Sequence, residues 1–143
     1  MSWRFLEEKT TADVAFRADG RTLEELFASA ADAVVGTMVS DPLALGRQES
    51  RTVELSAESV EMLLFDFLQA IIFHNDAERL LLRVDEVSIM RSAVGWSCTA
   101  TLRGEIIDSR RQDLLADVKA VTLQGYLVAR TPAGWMAEVV LDV

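Results

Sequence analysis

The stretch Leu80–Leu102, LLLRVDEVSIMRSAVGWSCTATL, decides the fold class of this 143-residue chain. Two apolar and β-branched runs, Leu80–Met90 and Trp96–Leu102, flank a short segment that ends in Gly95. That pattern predicts a β-hairpin. A second hairpin is predicted where Val118–Arg130 and Trp135–Val143 flank Thr131-Pro132-Ala133-Gly134. Between the hairpins, Gly104–Leu115 is polar and reads as a surface loop.

Upstream of these strands the period changes. Leu23, Leu26, Phe27, Ala30, Val34 and Met38 recur at helical spacing behind a capping box, Thr22-Leu23-Glu24-Glu25. This first helix is expected to end near Val39, before Ser40-Asp41-Pro42. A second helix, capped by Ser56, would bury Val60, Leu63, Leu64, Phe67, Leu68, Ile71 and Ile72. Ser50–Leu55 reads as a strand, as do two extended segments around Trp3–Glu7 and Thr11–Asp19. In the latter, Val14, Phe16 and Ala18 alternate with polar residues. The order is two strands, helix, strand, helix and four strands. Two helices packed on a largely antiparallel sheet make an α+β fold, and no linker divides residues 1–143, so one domain is expected.

Half of the residues are hydrophobic and 26% are charged, a globular balance. Lys and Arg number 14 against 23 Asp and Glu, so the net charge is −9. That excess opposes an autonomous grip on RNA or DNA, and docking on anionic membranes. The single cysteine, Cys98, rules out an internal disulfide and a Cys-rich zinc site, and its strand context suggests an inert buried thiol. No signal peptide is visible after Met1, and Val60–Phe73 is interrupted by Glu61, Asp66 and Gln69, so a cytoplasmic protein is expected.

Signatures of phosphate-loop, zincin, serine-hydrolase and EF-hand chemistry are absent. His74, at the end of the second helix, reads as a cation facing the helix dipole. Asp13 reads as a solvent-facing strand residue, and Asp142 as a solvated strand end. Lys119 is placed by strand alternation on the face of Val121 and Leu123, where it should snorkel to the edge or meet an anion. No local motif links these three residues.

Several segments in order resemble the archease family over nearly the whole chain. They are Phe5-Leu6-Glu7, Thr11–Arg17, Gly20–Phe27, Arg103-Gly104-Glu105 with Asp108, Val118–Thr122, Gly134-Trp135 and Val140–Val143. The resemblance implies a compact α+β accessory protein of the RNA ligase that joins a phosphate-bearing RNA end to a hydroxyl-bearing one. Such a protein would promote guanylylation of the ligase and its multiple turnover in tRNA splicing or RNA repair. It would not ligate RNA itself, and it would meet RNA only indirectly, through the ligase. The family's metal site maps onto Asp13, Asp142 and the terminal carboxylate of Val143, and its functional lysine onto Lys119. An all-oxygen anionic set suits a hard divalent cation, with Ca²⁺ favoured over Mg²⁺ and zinc disfavoured.

Three departures from the family pattern remove imidazoles: Thr10, Leu123-Gln124 and Arg111-Gln112-Asp113 stand where relatives often carry histidine. They bring transition-metal binding, and ligase activation with it, into question. Two alternatives therefore stand beside the accessory protein. One is a metal-dependent phosphoester hydrolase that uses Asp13 and Asp142 as ligands and Lys119 as electrostatic stabiliser. The other is a divergent interaction or chaperone-like module. No oligomeric state is legible, although Trp135–Val143 could pair with another chain if it lay at a sheet edge.

Overall fold

Thr22 Oγ1 accepts the Glu25 N–H at 3.1 Å, while the Glu25 carboxylate accepts the Arg21 N–H at 3.4 Å. The capping box therefore forms, with its return bond one residue outside the cap. It opens helix α1, Leu23–Met38, in a computed structural model that describes residues 1–6 and 13–143. Glu7, Thr10, Thr11 and Ala12, which figure in the readings above, lie outside the described residues.

The remaining elements are strands β1 (Ser2–Phe5), β2 (Asp13–Gly20), β3 (Glu49–Ala57), β4 (Leu80–Ser92), β5 (Gly95–Ile106), β6 (Ala120–Thr131) and β7 (Gly134–Asp142), with helix α2 (Val60–Glu78) and a short 3-10 turn at Pro42–Ala44. The α+β architecture holds, and the antiparallel strands divide between two sheets. One has the order β1-β2-β7-β6 and the other β3-β5-β4. Each helix touches strands of both sheets, α1 packing on β2 and β4 and α2 on β3, β4 and β6. This explains why α1 is buried well beyond its predicted stripe: Ala31, Ala33 and Val35 are covered as fully as Leu26 and Phe27.

Three local expectations are corrected. The cap of α2 is Ser59, whose hydroxyl accepts the Met62 N–H, because Ser56 is still paired with Ser97 in the β3–β5 ladder. Strand β5 runs on to Ile106, so the irregular segment starts at Ile107 rather than Gly104. Lys119 is not in a strand: the β6–β7 ladder starts at Ala120↔Asp142 and is interrupted between Thr122 and Leu127, around Gly125 at φ +66°. Val118 and Val121 are both buried, three residues apart, which no two-residue alternation allows. Lys119 is accordingly exposed and does not share the buried face of Val121. The condition for pairing through Trp135–Val143 is not met, since β7 lies between β2 and β6.

Gly104 permits the extension of β5. A methyl group there would stand 1.7 Å from the Leu81 carbonyl oxygen, a backbone atom that cannot step aside. Gly104→Ala is expected to cost about 3 kcal/mol of stability by overpacking, read as a lowered urea midpoint. An unchanged midpoint would contradict this close approach.

Candidate functional site

The antiparallel register of β2 and β7 sets Asp13 directly opposite Asp142. Directly opposed residues project from the same face of a sheet, with Cβ atoms about 4.5–5.5 Å apart. The two residues, 129 positions apart in the chain, are therefore neighbours at one end of the four-stranded sheet. Alternation assigns the faces. Phe16, Ala18, Ala137, Val139 and Leu141 are fully or almost fully buried against the helices, and Asp13 and Asp142 lie on the other face.

On its far side Asp142 is paired with Ala120. The preceding residue is Lys119, whose N–H donates to the Asp142 carbonyl at 2.8 Å. Asp13, Asp142 and Val143 are half-buried, and Lys119 is exposed. Two residues along β6, Thr122 lies on the same face as Asp142. Its Oγ1 is buried without a hydrogen-bond partner among the described residues. The structure thus brings together Asp13, Asp142 and the backbone of Lys119, while the side chain of Val143 packs against the core.

The donor set is entirely oxygen. Among the described residues, no group of three His, Cys, Asp or Glu residues is arranged to hold a metal. A cation here would rest on the two aspartates, with the Thr122 hydroxyl on the same face. That chemistry fits a hard divalent ion.

The other singled-out side chains lie elsewhere. The nitrogen Nδ1 of His74 bonds to Glu78 one turn on, at the end of α2. Glu78 also pairs with Arg51, and these two contacts, the arginine first, hold its carboxyl below the ordinary range. Cys98 is buried on β5, and desolvation pushes its thiol up to about 11, as the inert reading requires. Burial likewise raises the Tyr126 hydroxyl, which donates to the Glu61 carbonyl at 2.7 Å.

Sequence reasoning gave no physical role to the buried Glu105 or to Gln112. Glu105 is 6% exposed, and its carboxylate accepts bonds from the Gly46 N–H, Arg111 and Gln112. The available signal was an acidic residue at the end of an apolar strand run, a pattern shared by many solvated strand ends.

Two helices between two antiparallel sheets, with paired aspartates where the first long strand meets the last, define a specific class of small α+β protein. Residues 3–143 match the model of the Archease protein family (MTH1598/TM1083). The chain is 33% identical over 142 residues to protein archease of Pyrococcus abyssi, covering 99% of this chain and 98% of that one. It is also 33% identical over 143 residues to protein archease of Methanopyrus kandleri, covering both chains completely. The solution structure of Methanobacterium thermoautotrophicum protein 1598 superposes with a TM-score of 0.81 at 30% identity, covering 99% of each chain. The crystal structure of a Thermotoga maritima archease, described as a possible chaperone, shares the fold with a TM-score of 0.63 at 20% identity over 96% of each chain. The chain belongs to the archease family.

Like charges directly opposed across a ladder are destabilising. In EDTA, Asp13→Asn is therefore expected to raise stability by about 0.5 kcal/mol, read from urea denaturation. A loss of stability in the same buffer would show that the Asp13 carboxylate is not opposed by Asp142.

Proposed function

We propose that this chain is an accessory protein of an RNA ligase, promoting guanylylation of the ligase and its multiple turnover in tRNA splicing or repair. The observation that carries the reading is the Asp13↔Asp142 pairing with Lys119 bonded to the same residue. Two opposed aspartates repel each other unless a cation or protons intervene, so this register favours a bound divalent ion. Asp13, Asp142 and the Val143 carboxylate would hold it, Ca²⁺ in preference to Mg²⁺, because a flexible all-oxygen set suits the larger ion. When bound, the ion would supply concentrated positive charge for a phosphate or carboxylate of the partner.

The protein's own groups do the rest. Asp13 and Asp142 fix the position of that charge on two neighbouring strands. Lys119 adds an exposed ammonium, able to meet an anionic group of the partner. A net charge of −9 opposes direct capture of RNA, which favours a protein partner and leaves RNA to the ligase. Among the described residues no helix is long and apolar enough to cross a membrane, and a cytoplasmic setting suits the proposed role.

A hydrolase reading gains no support from the site. His74 and Cys98 sit on α2 and β5, and the thiol is held in its neutral form. A chaperone-like module remains the comparator, since the Thermotoga maritima relative is described as a possible chaperone.

The experiment is ligation by the cognate ligase under single- and multiple-turnover conditions, with calorimetric Ca²⁺ titration alongside. The wild-type chain is expected to raise multiple turnover. Asp13→Ala should weaken Ca²⁺ binding by at least about tenfold, by analogy with the loss of other metal-site groups, and abolish the stimulation. Lys119→Ala should abolish stimulation while Ca²⁺ still binds. Full stimulation by Asp13→Ala would refute the proposal.

A further inference from the structure

We propose that Glu105 is a positioning residue: through Gln112 and Arg111 it latches the segment that carries Lys119, and so sets where that residue is anchored on Asp142. The inference rests on the functional reading of Lys119 given above.

Glu105 lies at the end of β5, opposite Leu81, and is nearly out of reach of solvent. A carboxylate placed there needs donors on both oxygens. Oε2 accepts the Gly46 N–H at 3.1 Å and Arg111 Nη2 at 3.2 Å, while Oε1 accepts Gln112 Nε2 at 2.8 Å. All three partners are donors, so the position demands an anion. A neutral amide would set its own N–H₂ against another donor.

Gln112 completes the latch. Its Nε2 also donates to the Ile106 carbonyl at 3.1 Å, and its Oε1 accepts the Asp108 N–H at 2.6 Å. Acceptors surround the nitrogen and a donor meets the oxygen, which fixes the orientation of the amide. The next residues are stitched to the end of α1. Ser40 N–H donates to the Asp113 carbonyl at 3.0 Å and Leu115 N–H to the Met38 carbonyl at 2.8 Å, around a bridge between Val39 and Leu114. Four residues on, Lys119 makes its bond to Asp142.

The segment is therefore held at three places between Glu105 and Lys119. The last two are backbone contacts, which are indifferent to side-chain identity and can slip in register. The first depends on particular side chains. Glu105 with Gln112 thus sets the register in which the segment arrives at the site.

The test is backbone amide hydrogen exchange on the full chain. Glu105→Gln should speed exchange at Leu115 and Lys119 by at least about tenfold, because a buried donor loses its acceptor, with the β2 and β7 core amides unchanged. Ligase stimulation should fall in the same variant while its Ca²⁺ affinity, which rests on Asp13 and Asp142, stays unchanged. A merely structural role would lower both together. Should Glu105→Gln fail to fold, Gln112→Ala removes only the loop half of the latch and carries the same expectation. Unchanged Lys119 exchange in these variants, or stimulation at the wild-type level while that exchange accelerates, would overturn the proposal. Ca²⁺ affinity of the wild type, measured in parallel, separates the two readings: its absence refutes the metal site and leaves the exchange result standing.

Discussion

The pairing of β2 with β7 is the constraint on which the molecule depends. These strands form the middle of the four-stranded sheet, and their inner faces supply Phe16, Ala18, Ala137, Val139 and Leu141 to the core under α1. A slip of one residue would turn that entire set outward, so burial of the core fixes the register. Register in turn fixes the chemistry, because the ladder that buries Phe16 against Val139 also opposes Asp13 and Asp142 at its end. The core side pins the pairing, and the other face inherits two carboxylates that local electrostatics alone would keep apart.

Much of the fold was legible because its signals are local. Thr22 and Glu25 mark the start of α1, and Gly95 and Gly134 mark the two hairpins with positive φ angles of 144° and 138°. What could not be read is set by contacts between distant segments. The division into two sheets follows from each helix being covered on both sides, a property that an apolar stripe on one face does not reveal. The cap of α2 shifted from Ser56 to Ser59 because β5 claims Ser56 for its ladder. Alternation places Lys119 in a strand, but the β6–β7 ladder begins only at Ala120, so the lysine lies outside it.

The candidate site shows the same division. Asp13, Asp142 and Lys119 were marked by resemblance, whereas local pattern read both aspartates as solvated strand residues. Only the long-range register brings them together. The lysine's backbone reaches Asp142 by another route than the predicted strand face. An irregular segment, anchored on the buried Glu105 and tied to the end of α1, delivers it to the Asp142 backbone. Gln112 supplies within that segment the hydrogen bonds that hold it, in a chain with a single histidine. The acidic balance also takes on a narrower meaning. Most of the 23 carboxylates keep the surface anionic, while two of them are held face to face by the fold.

Titration of Ca²⁺ into the isotopically labelled chain, followed through backbone amide shifts, tests the central claim most directly. The account predicts saturable shifts concentrated at Asp13, Val14, Asp142, Val143 and the adjoining Lys119-Ala120, with the rest of both sheets unmoved. Small unsaturable shifts scattered over exposed acids such as Glu54, Glu86 and Asp41 would contradict it, and would leave the Asp13–Asp142 pairing as architecture without a ligand.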